Sequence, residues 1–435
     1  MNRSALLIRI VILAGIILLI LSNGPAISRE IEYQECTGLI VTGLPSENKT
    51  TLVGQSWDAR PYPQVFGLRM VTDKETGIKV ISDARFRKCP RLSSTGVFHT
   101  QNYRSCAVCW DDDPGNSETL YGLKTGEILA KAKNAKEAIE LAEKVAQEFG
   151  IRSGAGGAKV FADADEVYMI EGQAPGEYDI LGPYKDIAVA HANAYLSPSL
   201  KQSSEDFNAG YWRQQRAQEL LDMRARSMEK VGRMGGLINP QYMMKIFRDH
   251  IDGFNWVNCY EHDGNNRSIA GWGSKGRTVF AIFADLPKED RDVLSVIWTT
   301  PNYPPLTPFL PFFIGMPQIP PSFAVGEENK TKVFVELINV VRFNLDFADQ
   351  VQKFWEAFDD QTTRELSIVL REVKQMLKEG KKEQAGEWLY QYVNNRCEQA
   401  VKYAQELTVA INAKGLIKVD PSVFREILEP PRDNR

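Results

Sequence analysis

Histidine is scarce in this chain, and what histidine there is has the wrong spacing for a metal centre. Of 435 residues only four are histidine, His99, His191, His250 and His262, and none stands in an HExxH pair. Cys106-Ala-Val-Cys109 has no second CxxC to complete a zinc site, so neither a metal nor any other cofactor is expected. Six cysteines in so long a chain define no disulfide framework. Excess positive charge is also missing. A net charge of −4 and a pI of about 5.8 give no electrostatic reason to expect a nucleic-acid partner. The one basic cluster, Arg213, Arg216, Arg224, Arg226 and Arg233, is interrupted by Glu219, Asp222 and Glu229 and reads as a solvated helix face. The glycine-rich stretch Ser153 to Gly157 is followed by no Lys-Ser/Thr pair, which excludes a phosphate loop. No internal repeat is present.

Long hydrophobic runs are absent as well. The longest, Ile10 to Leu21, follows Arg3 and Arg9 and is shorter than the roughly 20 apolar residues of a membrane span. It suits the core of an export signal, with small residues at its end. The expectation is a signal peptide over residues 1–28, or an anchor if uncleaved, and a short propeptide over 29–35. The protein is therefore expected to be exported, touching a membrane only through that N-terminal segment. Composition is ordinary for a globular chain, with 43% hydrophobic and 25% charged residues.

What is present begins at Cys36. The strand-like run Cys36 to Thr42 is followed, after a polar turn containing Pro45, by a second run from Thr51 to Asp58. If residues 43–50 connect a symmetric hairpin, Thr42 faces Thr51 and Cys36 faces Trp57, with Asp58 beside it. A cysteine exposed by cleavage of the Glu35-Cys36 bond carries its own base. Its new α-amine has a reference pKa of about 7.7 to 8.0, suited to a thiol of about 8.5.

Further along, alternating runs around Asp73 to Gly77 predict antiparallel strands. Asn134 to Glu137 resembles a capping box opening an amphipathic helix that ends on Gly150. Strands are predicted over 158–162 and 166–171, and a third over 187–193. Helices follow over 211–233 and 240–250, then strands over 278–283 and 293–299. Residues 301–321 hold eight of the chain's 22 prolines, which rules out a helix or a central strand there. From Glu328 to about residue 413 the pattern is helical. The predicted organisation is a core over 36–300, a Pro-rich connector over 301–328, a helical extension over 329–420 and a tail over 421–435.

Several of these residues form familiar motifs. Gly54-Gln55-Ser56-Trp57-Asp58 downstream of Cys36 resembles a motif of the isopenicillin N acyltransferase-like family, self-processing N-terminal-nucleophile hydrolases related to choloylglycine hydrolases and penicillin V acylases. His191-Ala192-Asn193-Ala194-Tyr195-Leu196-Ser197-Pro198 is similar to that family's His-Thr-Asn-His-aromatic-Leu-Ser-Pro stretch. Arg248-Asp249-His250 and Cys259-Tyr260-Glu261-His262 resemble two of its later elements. Thr307 to Gly315 and the helical tail look more like the cysteine dipeptidases of the same superfamily. The chain departs from the family at Ala194, where a second histidine is usual. It also departs from choloylglycine hydrolases at Gln55, where they carry arginine.

The resemblance implies an α+β fold, a four-layer αββα sandwich, with the helical extension behind it. It implies that Cys36 is the nucleophile and its amine the proton shuttle. Asp58 would be partner to that amine or to a substrate amine, and Asn193 an oxyanion donor. Trp57, Gln55 and Arg277 would bind substrate, with Arg267 the alternative to Arg277. The implied reaction is cleavage of a linear amide in a small molecule through a thioester. A dipeptidase, and an inactive exported binding protein, are the rival readings. Taken alone, Asp58 has a competing reading as a turn cap before Arg60-Pro61, and Asn193 reads equally as a strand-end residue.

Overall fold

The structure, a computed structural model, describes residues 36–59, 66–83, 91–104, 120, 124–151, 156–200, 209–229, 238–249, 269–270, 277–342 and 347–413. The protein is α+β, and among the described residues two antiparallel sheets form its centre. The first pairs β10 (Ala188–His191), β1 (Cys36–Val41), β2 (Thr51–Ala59), β11 (Arg277–Leu286), β12 (Val296–Thr299) and β13 (Leu310–Phe313), in that order. The second is a meander in chain order: β3 (Leu68–Thr72), β4 (Lys79–Asp83), β5 (Arg91–Ser93), β6 (Phe98–Arg104), β7 (Gly156–Ala162), β8 (Val167–Gly172) and β9 (Tyr178–Tyr184).

The hairpin takes the register its turn length predicts. Cys36 lies opposite Trp57, Gly38 opposite Gln55 and Val41 opposite Leu52. Facing residues of an antiparallel pair share a side of the sheet, so Cys36, Trp57, Gln55 and Phe280 point one way and Ser56 and Asp58 the other. The Gln55 side faces the second sheet, since its Oε1 accepts a hydrogen bond from the Gln101 amide of β6 at 3.0 Å and another from the Thr100 hydroxyl. Gly54 lies against β11 so closely that an added Cβ would stand 2.4 Å from the Ile282 carbonyl oxygen. That approach requires glycine at the head of the Gly-Gln-Ser-Trp-Asp motif.

Helices cover the outer faces. Helix α1 (Lys124–Leu129) and α2 (Ala135–Phe149) lie on the second sheet, α2 burying Ala138, Ile139, Ala142 and Ala146. Asn134 caps α2 by accepting from Glu137 N at 2.8 Å, and Gly150 at φ 76° closes it. The reciprocal arm of the box differs from the simple pattern, because the Glu137 carboxylate accepts from the Lys133 amide. On the first sheet lie α3 (Ala209–Glu229), against β10 and β1, and α4 (Pro240–Phe247), against β2 and β11. A one-turn helix, α5 (Arg291–Leu294), leads into β12. After α6 (Lys332–Arg342), two long helices, α7 (Ala348–Lys378) and α8 (Lys382–Asn412), fold back on each other at Gly380 (φ 74°). Among the described residues no helix is long and apolar enough to cross a membrane.

Two sequence expectations need correction. The strand predicted over 187–193 is the shorter β10, and it joins β1 in the first sheet, away from β8. Its place beside β8 is taken by β9, whose half-exposed residues and Gly182-Pro183 gave no strand pattern. The first sheet also runs beyond residue 300, because β13 falls inside the segment expected as a connector. Pro311 is tolerated there because β13 is the outermost strand, where a missing N–H costs no ladder bond. Buried Arg248 fastens this segment, donating to the Pro304 and Thr307 carbonyls and to Asp359 of α7.

Asp285, on β11, carries a testable stability effect. Its residue keeps some exposed surface, but its carboxyl is buried, and one oxygen has no hydrogen-bond partner among the described residues. Burial pushes its pKa up to about 6, against a hydrogen bond from Thr50 that pulls it down. The folded state then holds a proton that the unfolded chain has lost above about pH 4. Stability from this group is full below about pH 4 and falls as pH rises to about 6. Asp285→Asn is expected to flatten that slope and to raise stability at pH 8 by about 1–3 kcal/mol, read by urea denaturation at pH 4.5 and pH 8.

Candidate functional site

Cys36 sits at the start of β1, fully buried, across from Trp57, whose ring stacks on Phe280 at 6.0 Å between centroids. The Cys36 backbone N–H donates to Asn193 Oδ1 at 3.0 Å. Asn193 follows β10, and β10 reaches this point because it pairs with β1 from Gly38 to Val41. That pairing has a steric condition. The His191 imidazole lies against Gly38, 2.2 Å from where a Cβ would stand, so any side chain at position 38 would displace the imidazole.

The same Asn193 oxygen accepts a second bond from Arg213 Nη2, at 2.6 Å. Arg213 Nη1 donates to Asp58 Oδ2 at 3.0 Å, and Thr278 Oγ1 donates to Asp58 Oδ1 at 2.5 Å. A continuous network thus runs from Thr278 through Asp58, Arg213 and Asn193 to the nitrogen of Cys36. Arg213 is fully enclosed and Asp58 only 7% exposed, so the ion pair lies out of water. Two donors on Oδ1 also decide which end of the Asn193 amide is oxygen. Its Nδ2 is the end with hydrogens to give.

The structure therefore brings Cys36, Trp57, Asp58 and Asn193 together. Gln55 is close in register but wholly enclosed, and its carbonyl oxygen joins β2 to β6. Arg277 opens β11 opposite Ala59, and its side chain lies outside the described residues. Arg267, His250, Cys259, His262, Cys89, Cys106, Cys109 and the whole leader also lie outside them. Among the described residues no three His, Cys, Asp or Glu side chains cluster as metal ligands.

Arg213 is the residue that sequence reading missed, and the solvated-face reading of its cluster is overturned at this position. A signal was available. Arg213, Ala217 and Leu221 recur at four-residue steps, and all three are buried on the side of α3 that meets the sheet. Arg216, one step round, is partly exposed and pairs bidentately with Asp249. Charge alone concealed the stripe.

No protein-family model matches the chain, and no curated protein matches it. Among solved structures it is similar to conjugated bile acid hydrolase from Clostridium perfringens. Two variants of that enzyme each align at 11% identity over 64% of this chain and 92% of theirs, with a TM-score of 0.38. It is also similar to penicillin V acylase from Agrobacterium tumefaciens, at 12% identity over 64% of this chain and 86% of that one, with a TM-score of 0.41.

Proposed function

We propose that the protein is an exported cysteine N-terminal-nucleophile hydrolase with an αββα sandwich, cleaving linear amides of N-acyl small molecules after self-cleavage before Cys36. The observation that carries this reading is the hydrogen bond from the Cys36 nitrogen to Asn193, anchored through Arg213 to Asp58. An inert buried cysteine needs no such organisation about its own backbone nitrogen. A nucleophile whose base is that nitrogen does.

In the mature protein the α-amine takes the Cys36 thiol proton as Sγ bonds to the amide carbon. The carbonyl oxygen becomes an oxyanion, to which Asn193 Nδ2 donates. The C–N bond then breaks, the amine passes its proton to the leaving nitrogen, and a thioester remains. Water, deprotonated by the same amine, attacks the thioester and releases the acid and the thiol. Loss of one oxyanion donor commonly costs about 10² to 10³ in rate, so Asn193 is assigned a large share of the chemistry.

The network also bears on the dipeptidase alternative. A dipeptide presents an α-ammonium group that needs a carboxylate, and both Asp58 oxygens already accept, one of them from a guanidinium. The pair neutralises itself, which favours an acylated nitrogen over a charged one near Asp58.

The test is a panel of N-acyl amino acids, penicillins, bile-acid conjugates and dipeptides, with hydroxylamine supplied to trap the thioester as a hydroxamate. We expect amine release from at least one N-acyl member, slower or no cleavage of dipeptides, and activity rising with pH near 7 to 8 as the terminal amine loses its proton. Correctly processed protein that cleaves no amide, and whose Cys36 takes no acyl probe, would leave an inactive binding protein as the better reading.

A further inference from the structure

Asn193 owes its position to a short segment, residues 192–199, that no strand or helix holds. Upstream the chain is tied to α3: Ala190 N donates to Gln218 Oε1 at 2.9 Å and Ala192 N to Gln214 Oε1 at 3.3 Å. Downstream it is tied to the other sheet. Leu196 N and Ser197 N both donate to Glu171 Oε2, each at 2.9 Å. The Tyr195 hydroxyl donates to the Gly172 carbonyl at 3.2 Å, and the Ser197 and Ser199 hydroxyls donate to Asp179. Glu171 and Asp179 face each other across β8 and β9, so two carboxylates of the second sheet grip a loop that belongs to the first.

Glu171 is wholly buried. A buried carboxylate is costly, and a neutral acceptor would satisfy two amides without the charge. What matters to the site is that one acceptor oxygen holds two N–H groups, three and four residues beyond Asn193, where slack in the backbone passes directly to the amide. We infer that Glu171 is a positioning residue, holding the Asn193 oxygen on the nitrogen of Cys36. This rests on the function proposed above.

The experiment follows alkylation of Cys36 by chloroacetamide in mature protein across pH 6 to 9, with peptide mapping to exclude other thiols. Glu171→Asp and Glu171→Ala are expected to slow alkylation about 10-fold at pH 7.5 and to move the midpoint of its pH profile, since displacement of about 1 Å in such a site costs up to about 10²-fold. Glu171→Gln retains an oxygen for both amides and is expected to stay within about 3-fold of the parent. The deciding comparison uses Asn193→Ala as background. There the Glu171 substitutions are expected to have no further effect, because the group they act through is gone. An equal loss in both backgrounds, or an unchanged pH profile in every folded Glu171 variant, overturns the inference. If Cys36 of the parent reacts no faster than a thiol in the denatured chain, the nucleophile reading itself falls, and this inference with it.

Discussion

Cys36→Ala is expected to retain the residues before position 36 and to release no amine from any amide that the parent protein cleaves. In the mechanism proposed above, self-cleavage and turnover require the same atom. In processing, Cys36 Sγ would bond to the Glu35 carbonyl carbon while the bond from that carbon to the Cys36 nitrogen breaks. The nitrogen leaves as an amine, taking the thiol proton, and water then hydrolyses the resulting thioester. The leaving nitrogen is the one that donates to Asn193 Oδ1. Alanine fills nearly the same buried space opposite Trp57, so the variant should fold, and its defect should be chemical. Intact mass reads the processing and amine release reads the turnover. Cys36→Ser separates the two requirements, because a hydroxyl is matched far less well to an amine base than a thiol is. Parent protein that turns over amides while still carrying Glu35 would remove the amine from the mechanism.

The site was legible in the sequence where it depended on local pattern. The hairpin register followed from two alternating runs and the length of the turn between them, and Cys36 stands opposite Trp57 as that arithmetic requires. The helix after Asn134 was likewise written in its cap and in the Gly150 that closes it. What local pattern could not give is the pairing of β10 with β1, a contact across about 150 residues of chain. Asn193 was reached only through a motif, and its bond to the Cys36 nitrogen only through the structure. Strand β6 was missed for another reason. His99, Thr100 and Gln101 are polar yet buried, because the strand lies inside its sheet, where Thr100 and Gln101 bond to Gln55 and Lys159 and the His99 ring packs against Phe161. Hydrophobic alternation says nothing about such a strand. Arg213 was hidden by its class, since arginine in a charge-rich helix is usually solvated and this one is not.

Arg213 also carries the second large effect. Arg213→Ala would leave Asp58 as a buried carboxylate that has lost its cation, with the Thr278 hydroxyl still bonded to it. Breaking a buried pair by removing one partner typically costs about 3–5 kcal/mol, much of it the unpaired charge that remains. Urea denaturation should show a loss of that size. Turnover should fall as well, because the same guanidinium holds the Asn193 amide in place for Cys36. Arg213→Lys tests the geometry. A single ammonium lacks the fork that reaches Asp58 and Asn193 together, so the charge survives but the bridge does not. The two effects come apart when both partners are replaced. In Asp58→Leu with Arg213→Met no charge is left buried, and stability should recover most of what Arg213→Ala loses, while turnover stays low because Asn193 is still unheld. Stability and activity that recover together in the double variant would mean that the pair serves folding alone. Stability restored without activity would mean that the ion pair is there to aim Asn193 at the nitrogen of Cys36.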